Sequence, residues 1–287
     1  MTDEGSVEAA DPAEAFAALA DPKRVAILEA LWQADGDVAT FSELREAVDI
    51  RDSGQFNYHL GKLADRFVRK TDDGYRLTLA GHHVVGSLLV GAYTMRGSTD
   101  PIPLDEPCPF CDGTWTFHYE NERVSIDCDD CGAGIQLDIP PGVFADHDRE
   151  ELPGVAKRYV RLKLRTASDG FCPLCEYHVE PEVVEETETD LGDPGTPLVS
   201  YECGRCGETV LAELGTALTE HPHVVSFFDD HGVDIGDAPL SQFVATAERT
   251  EVRQRDPLEV AVTYECDDET LTVVVDEGFE VLSADRS

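Results

Sequence analysis

The chain has 287 residues, enough for about two domains of ordinary size, or for more if some are small modules held together by metal. It carries 22 Lys and Arg against 59 Asp and Glu, a formal net charge of -37, and only five of the basic residues are lysines. An acidic, lysine-poor surface suits a cytoplasm of molar salt, where the screening length falls to about 3 Å, so we infer a salt-accumulating haloarchaeon. No stretch approaches the roughly 20 apolar residues of a membrane span and no apolar core follows a basic start, so we expect a cytoplasmic protein.

The charge is unevenly distributed along the chain. Residues 45–76 contain seven basic and six acidic residues, whereas residues 100–287 contain 12 basic and 43 acidic ones. A large negative charge ordinarily argues against a nucleic-acid partner, but in molar salt long-range repulsion is screened and local contacts decide. The segment 45–76 therefore remains a candidate for contact with DNA.

Residues 11–79 contain four helix start signals. Each is a capping side chain followed by an acid or amide three residues later, or by proline at the first helical position. The four are Asp11 with Glu14, Asp21 with Pro22, Thr40 with Glu43, and Asp52 with Gln55. Apolar residues recur at helical spacing after these signals, which predicts four helices. Two short strands, 67–71 and 75–79, are then predicted around a hairpin turn containing Asp73-Gly74.

The helix after Asp52 has an apolar face and an unusual outward face. The outward face carries hydrogen-bonding and aromatic groups of the kind that reach base edges and phosphates in the major groove. The residues expected there are Ser53, Gln55, Asn57, Tyr58, His59 and Lys62. Any solvated helix also has a polar outer face, so this face alone does not establish DNA binding.

Four segments together resemble the winged helix-turn-helix of the ArsR-like family of dimeric transcriptional repressors. They are ALADPKRVAILEAL, FSELREAV, SGQFNYHLGKLAD and FVRKTDDGYRLTLAG, within the first third of the chain. The resemblance implies a DNA-binding domain over 11–95, with the outward face described above on the DNA-reading helix. It also implies that Arg69, Lys70 and Arg76 lie on the wing near phosphates. Metal sensors of that family carry cysteines before the DNA-reading helix, and the matching segment SELREAVDI has none.

A further helix is predicted from Thr78 over AGHHVVGSLLVGAYTM, and its apolar residues cover more than one face. Such a helix either packs on its own domain or forms a dimer seam, and we favour the seam because a two-fold DNA reader needs one. His82 and His83 are interpreted as polar rim residues. The proline-rich, non-periodic segment 96–107 is predicted to be a linker.

Eight of the nine cysteines form four CxxC pairs. They are Cys108 with Cys111, Cys128 with Cys131, Cys172 with Cys175, and Cys203 with Cys206. Two intervening residues let both thiolates point inward from one turn, and two such turns complete a tetrahedral shell, which predicts two structural zinc ions per chain. Disulfides are disfavoured in a reducing cytoplasm, and iron–sulfur clusters more often use other spacings. We expect His118 and His178 not to be ligands, and Cys266 to be an ordinary strand residue.

The cysteine pairs delimit two similar modules, each predicted to be a zinc ribbon, at 108–142 and 169–213. The helix between them, 153–168, is expected to bury Val155, Tyr159 and Leu162. It also carries five cations, Lys157, Arg158, Arg161, Lys163 and Arg165. These cations either form a solvated face or contact DNA or an acidic partner, and the sequence does not choose between them.

The last segment, 214–287, is predicted to be a small α+β cap. A helix is expected over 214–232, a shorter one over 240–247, and three strands over 251–285. The cap either binds an effector or only buries the apolar faces of the ribbons. The overall expectation is a multidomain α+β chain in which a winged helix-turn-helix precedes two zinc ribbons and this cap.

The function expected from these features is that of a homodimeric, double-stranded-DNA-binding transcriptional regulator, a repressor by resemblance, with structural zinc. The alternative is an interaction protein of the transcription machinery, because a winged helix followed by a zinc ribbon also resembles the archaeal general initiation factor. That factor has one ribbon, whereas two are predicted here. An enzyme is not expected, because the chain has no phosphate loop, nucleophile elbow or His-Glu-x-x-His helix.

Overall fold

The computed structural model describes residues 11–108, 111, 113–185, 196–235 and 250–287. They form two compact units that divide between Met95 and Arg96. As predicted, the fold is α+β, with helices and several small antiparallel sheets. No helix within these ranges is both long enough and apolar enough to cross a membrane.

The described residues of the first unit contain five α-helices and one β-hairpin. The helices are α1 (Pro12–Leu19), α2 (Pro22–Trp32), α3 (Phe41–Ala47), α4 (Ser53–Leu63) and α5 (Leu79–Leu89); the hairpin strands are β1 (Val68–Thr71) and β2 (Gly74–Leu77). The predicted start signals are confirmed, because the side chains of Asp11, Asp21, Thr40, Asp52 and Thr78 each accept a backbone N–H at a helix start. The Thr40 cap is reciprocal, since the Glu43 carboxylate accepts the Thr40 N–H at 2.7 Å.

The core of this unit is built around α2, whose Ile27, Leu28 and Leu31 are buried against apolar residues of α3, α4, α5 and the hairpin. The hairpin is also fixed to the chain ahead of α3, where Ala39 and Tyr75 exchange two backbone hydrogen bonds of 3.0 and 2.9 Å. Gly74 allows this approach. Its φ is +149°, and a Cβ there would lie 2.5 Å from the Ala39 carbonyl oxygen.

Among its described residues, the second unit contains three antiparallel sheets and three α-helices. The first sheet has the order β3 (Ile102–Pro107), β4 (Thr114–Glu120), β5 (Arg123–Cys128) and β6 (Gly134–Asp138). The second has β7 (Pro181–Glu185), β8 (Pro197–Glu202) and β9 (Thr209–Glu213), and the third has β10 (Thr250–Arg255), β11 (Leu258–Cys266), β12 (Glu269–Asp276) and β13 (Val281–Arg286). The helices are α6 (Leu152–Ser168), α7 (Leu214–Ala217) and α8 (Pro222–Asp230).

Helix α6 connects the two apolar cores of this unit. Leu152, Val155 and Ala156 pack with the first sheet, whereas Leu164 and Ala167 pack with the second sheet and the cap. The prediction that Leu162 is buried is wrong, because this side chain is 60% exposed. The helix changes from one core to the other near its middle, so its buried face does not continue as a single stripe.

The linker predicted over 96–107 is wrong over 102–107, which form strand β3. Ile102 is buried and pairs with Phe117. The strand lies at the sheet edge, where a proline that lacks an N–H is tolerated, and the register shifts between Pro103 and Pro107. An irregular edge strand of this kind shows no alternation in the sequence.

The cap also differs from its prediction. The single helix expected over 214–232 is divided into α7, a 3-10 turn at Leu218–Glu220, and α8, which begins with Pro222 at its first position. Four strands are present in place of three, because the chain reverses at Asp256-Pro257 between β10 and β11. The helix expected over 240–247 lies outside the described residues.

Candidate metal centres and candidate nucleic-acid interface

The first cysteine cluster lies where β3 leads into β4 and where β5 ends. Its four Sγ atoms all lie within 4.8 Å of one another. The separations are 3.8 Å for Cys108 and Cys131 and 3.5 Å for Cys111 and Cys128. A tetrahedral shell with metal–sulfur bonds of about 2.3 Å places sulfurs about 3.8 Å apart, whereas a disulfide needs about 2.05 Å. These four cysteines can therefore hold one metal ion.

The second cluster has the same geometry and lies between the end of α6 and the turn that joins β8 to β9. The four Sγ atoms again lie within 4.8 Å of one another. Cys172 and Cys206 are 3.6 Å apart, as are Cys175 and Cys203. Both clusters predicted from the CxxC pairs are thus assembled, and the cysteines that form them are free rather than disulfide-bonded.

The turn at the second cysteine of a pair explains how two thiols come to face the same point. The next residue has a positive φ in three of the turns: Gly132 at +74°, Gly207 at +77° and Glu176 at +59°. Each of these residues donates its N–H to the carbonyl of the first cysteine of its pair, at 2.9 to 3.0 Å. The left-handed conformation closes the turn and is readily adopted by glycine.

The surroundings of the sulfurs favour a thiolate at one buried cysteine of each cluster. The backbone N–H of Cys131 and then that of Asp130 lower the pKa of Cys128 to about 7, against the effect of burial. Burial raises the pKa of Cys203, but the N–H groups of Cys206 and Arg205 outweigh it and bring the pKa to about 6. Four convergent thiolates fit zinc, and they also occur around iron.

In the first unit, most residues predicted to read DNA lie on the surface of α4. Ser53, Gln55, Asn57, Tyr58 and Lys62 are exposed. Tyr58 is 58% exposed, and the Lys62 ammonium lies 5.7 Å from the centre of its ring. Phe56, Leu60 and Leu63 hold the opposite face in the core. The helix therefore presents polar and aromatic groups to solvent in a fixed orientation.

His59 is an exception, and the prediction that it lies on the outward face is wrong. It is only 5% exposed, and its Nδ1 lies 3.7 Å from Oδ2 of Asp21, the residue that caps α2. His59 follows Phe56 by three residues and precedes Leu63 by four, so it belongs to the buried stripe. Its spacing from these two residues was the signal that could have identified it as buried.

The hairpin brings the predicted wing cations together. Arg69 lies directly opposite Arg76, and Lys70 directly opposite Tyr75. Arg69 and Lys70 are exposed, and Arg76 is half-buried. None of the three cations forms an ion pair with the described residues. The hairpin follows α4 after a short connection, in which the Asp65 N–H donates to the Val68 carbonyl at 2.8 Å.

Comparisons with known families divide the chain near the same place as the structure. Residues 12–88 match a family described as Domain of unknown function (DUF7347). Residues 105–281 match one described as Domain of unknown function (DUF7351), and this match includes both cysteine clusters. No curated protein matches the sequence. Because the second match spans more than half of the 287 residues, the chain belongs to the DUF7351 family.

Proposed function

We propose that this protein is a DNA-binding transcriptional regulator, acting as a repressor, whose first unit is a winged helix-turn-helix of the ArsR-like kind. One observation carries the proposal: a helix with an exposed polar and aromatic face is followed directly by a hairpin that holds two opposed arginines. In this proposal α4 enters the major groove with Gln55, Asn57 and Tyr58 against the bases, and the hairpin lies along the phosphate backbone.

The opposed arginines support an anionic partner. Like charges directly across two antiparallel strands destabilise a hairpin, and no acid of the described residues lies within ion-pair distance of Arg69 or Arg76. A DNA phosphate between the two guanidinium groups would relieve this repulsion. A cation at each of the two paired positions is therefore better explained by a bound phosphate than by the stability of the hairpin itself.

A dimer is proposed because the first unit exposes apolar side chains on and after α5. Leu79 is 74% exposed, Leu89 is 52% exposed and Tyr93 is 81% exposed. Burying such residues against a second copy would bring two α4 helices into a two-fold arrangement, which predicts a palindromic site with half-sites about one helical turn apart. Sedimentation of the wild-type chain should give the mass of two chains, and Leu89→Glu with Tyr93→Glu should give the mass of one.

Zinc is proposed as the metal in both clusters, with a structural role. Four thiolates leave no open position for a substrate or water, which is the arrangement of a closed structural site. Elemental analysis of protein purified without added metal should find about two zinc ions per chain. Iron, accompanied by visible absorbance, would instead identify iron–sulfur or iron–thiolate centres.

The test of the proposed function is binding to DNA selected from random duplexes in molar potassium salt. The selected sequences should be palindromic, and Asn57→Ala combined with Lys62→Ala should weaken binding to them by about tenfold or more, since it removes one base contact and one phosphate contact. Lys23→Ala combined with Gln33→Ala is the matched control, because it removes one cation and one amide from α2 and its end. The control should bind like wild type.

Two outcomes would contradict the proposal. Equal affinity for every duplex would mean that α4 does not read bases. Binding to RNA polymerase without selective binding to DNA would favour the alternative function, an interaction protein of the transcription machinery resembling the archaeal general initiation factor.

A further inference from the structure

The surface around the second cysteine cluster differs from the rest of its unit. Six large apolar side chains are exposed in the described part of 96–287. Four of them, Leu162, Phe171, Leu174 and Tyr177, belong to α6 or to the turn that holds Cys172 and Cys175, and they are 48% to 63% exposed. Scattered exposed apolar residues are ordinary, but a concentration at one place indicates a binding surface.

Hydrogen bonds bring together the backbone segments that carry these side chains. The Lys163 ammonium donates to the Pro173 carbonyl at 3.2 Å, which joins α6 to the Cys172 turn. Phe171 is fixed by its N–H, which donates to the Thr166 carbonyl at 3.0 Å. The Tyr177 carbonyl accepts the Cys172 N–H at 2.7 Å, so Phe171 and Tyr177 flank the same turn.

Cations are concentrated along α6 and at the second cluster. Six of the 12 basic residues of 100–287 are Lys157, Arg158, Arg161, Lys163, Arg165 and Arg205. Arg161 and Arg165 contact Glu220, and Arg158 points back towards Gly154 in the first half of α6, whereas Arg205 is exposed beside Cys206. The Arg205 guanidinium lies 5.2 Å from the centre of the Tyr177 ring. This cation–π contact joins the turn that holds Cys203 and Cys206 to the turn that holds Cys172 and Cys175.

The first cluster brings its four sulfurs equally close together but has no such surface among the described residues beside it, so the surface is not needed to hold a metal ion. The Gly113 carbonyl accepts the Cys108 N–H at 2.8 Å, so Gly113 occupies the position that Tyr177 occupies in the second module. Asp130 precedes Cys131 as Arg205 precedes Cys206. These two positions also adjoin in the first module, where a Cβ on Gly113 would lie 2.4 Å from Asp130 Oδ2. The second module thus has an aromatic and a cation where the first has a glycine and an acid.

We propose that this surface, formed by Phe171, Tyr177, Leu174, Leu162 and Arg205 and named here the second-cluster face, binds single-stranded nucleic acid. Phe171 and Tyr177 offer two ring faces on either side of one turn, on which successive bases stack. Arg205, which stacks beside the Tyr177 ring, supplies a cation for the phosphate between them. Stacking on aromatic rings beside arginine is the chemistry of sequence-tolerant single-strand recognition. This activity is separate from the proposed reading of duplex DNA by the first unit.

Local charge determines how this binding responds to salt. Glu176 and Glu180 are exposed beside the face, so the net attraction for phosphate is small. Affinity then comes mainly from stacking, which salt does not screen. We therefore expect the affinity for a single strand to change little with potassium chloride concentration, in contrast to proteins that neutralise many phosphates.

The test is fluorescence anisotropy of labelled oligo-dT and oligo-rU, about 12 nucleotides long, with the metal-loaded full chain at about 0.2 and 2 M potassium chloride. Wild type should bind at both concentrations. Phe171→Ala and Tyr177→Ala should each weaken binding by about fivefold or more, because each removes the stacking of one base. Tyr177→Phe keeps the ring and should retain most of the affinity. Leu282→Ala, which truncates an exposed side chain on β13, is the control for loss of apolar surface.

Two further measurements make the result decisive. Metal content and circular dichroism of each variant must equal those of wild type, so that a loss of binding reports the face and not unfolding. Asn57→Ala with Lys62→Ala should abolish preference for the selected duplex and leave oligo-dT binding intact, which separates this proposal from the proposed function. Absence of single-strand binding would overturn the proposal. So would a Tyr177→Ala variant that binds normally, or one whose only change is in self-association, because the face would then contact protein.

Discussion

Glu213, at the end of β9, is a buried carboxyl group whose Oε2 has no hydrogen-bond partner among the described residues. Burial raises the pKa of Glu213 to about 7 from an ordinary value of 4.5. Between these two values the folded chain keeps a proton that the unfolded chain has lost, so the free energy of unfolding falls as the pH rises through this window. A difference of this size corresponds to roughly 3 kcal/mol at pH 8.

The variant Glu213→Gln should therefore be more stable than wild type near pH 8 and about equal to it near pH 4.5, because the amide keeps the shape and cannot ionise. Chemical unfolding of the metal-loaded protein at several pH values measures the difference. Glu202 is exposed on the neighbouring strand β8, so Glu202→Gln should leave the pH dependence of the free energy of unfolding as it is in wild type. A Glu213→Gln variant with the pH dependence of wild type would show that Glu213 keeps an ordinary pKa.

Single residues differed in how well the sequence predicted them. The eight cluster cysteines were identified because CxxC spacing by itself brings two sulfurs to one turn, and the structure then needs only to bring two turns together. His59 was placed on the wrong side of α4 because its polarity was given more weight than its spacing from Phe56 and Leu63. Tyr177 and Arg205 carry no motif, and only their contact across two turns distinguishes them.

At the level of elements, the attachment of α5 to its unit gives a prediction based on Gly81. This glycine is buried in the first turn of α5, and a Cβ there would lie 2.3 Å from the Phe67 carbonyl oxygen and 3.0 Å from a Leu77 methyl group. Gly81→Ala should therefore force α5 away from the hairpin and destabilise the first unit by about 1 to 3 kcal/mol. Thermal unfolding should show a lower midpoint for the first unit.

The matched change is Gly61→Ala in α4, where a Cβ would meet no atom within 4 Å. Alanine loses less conformational freedom than glycine on entering a helix, so this variant should be more stable by about 0.5 to 1 kcal/mol. Equal destabilisation by both substitutions would mean that α5 does not pack closely on the hairpin at Gly81.

Elements were predictable where local chemistry determined their ends. Capping side chains marked the starts of α1 to α5, and the turn residues predicted a hairpin of β1 and β2, although its two-residue turn is Asp72-Asp73 and Gly74, already in β2, pairs with Thr71. Strand β3 was missed because prolines at a sheet edge give the pattern of a linker. The division between α7 and α8 at Pro222 was missed because both segments are apolar, and their separation depends on packing against the strands of the third sheet.

At the level of the whole molecule, the charge of -37 makes stability depend on salt. Self-repulsion among unpaired carboxylates destabilises a compact chain, and added salt screens it. The thermal midpoint should rise between about 0.1 and 2 M potassium chloride. The rise should be larger for the second unit, since residues 100–287 hold 43 acidic and 12 basic residues. Equal midpoints at both concentrations would argue against a chain adapted to molar salt.

Removal of metal should destabilise the second unit and not the first, because both cysteine clusters belong to the second one. Cys108 and Cys128 lie in the core of the first sheet, whereas Cys172 and Cys203 lie in the core that also contains Val260 and Val262 of the cap. Without a bound cation, four cysteines whose sulfurs are 3.5 to 3.8 Å apart repel one another as thiolates or must take up protons, and the small sheets lose the stabilisation expected from the proposed metal. A chelator should thus unfold much of 96–287 and leave 11–95 folded.

Substitution of single ligands should localise this effect, because each cluster belongs to a different core. Hydrogen exchange should accelerate mainly in β3 to β6 for Cys128→Ser, but in β7 to β9 together with the cap strands β11 and β12 for Cys203→Ser. The spread to the cap follows from a direct link and a shared core, since the Val183 N–H donates to the Glu277 carbonyl at 2.8 Å and Cys203 is buried in the same core as Val260 and Tyr264. Cys266→Ser, which changes the one cysteine outside the clusters, should leave the metal content at that of wild type. If Cys203→Ser left exchange in the cap unchanged, the cap would fold independently of the second metal site.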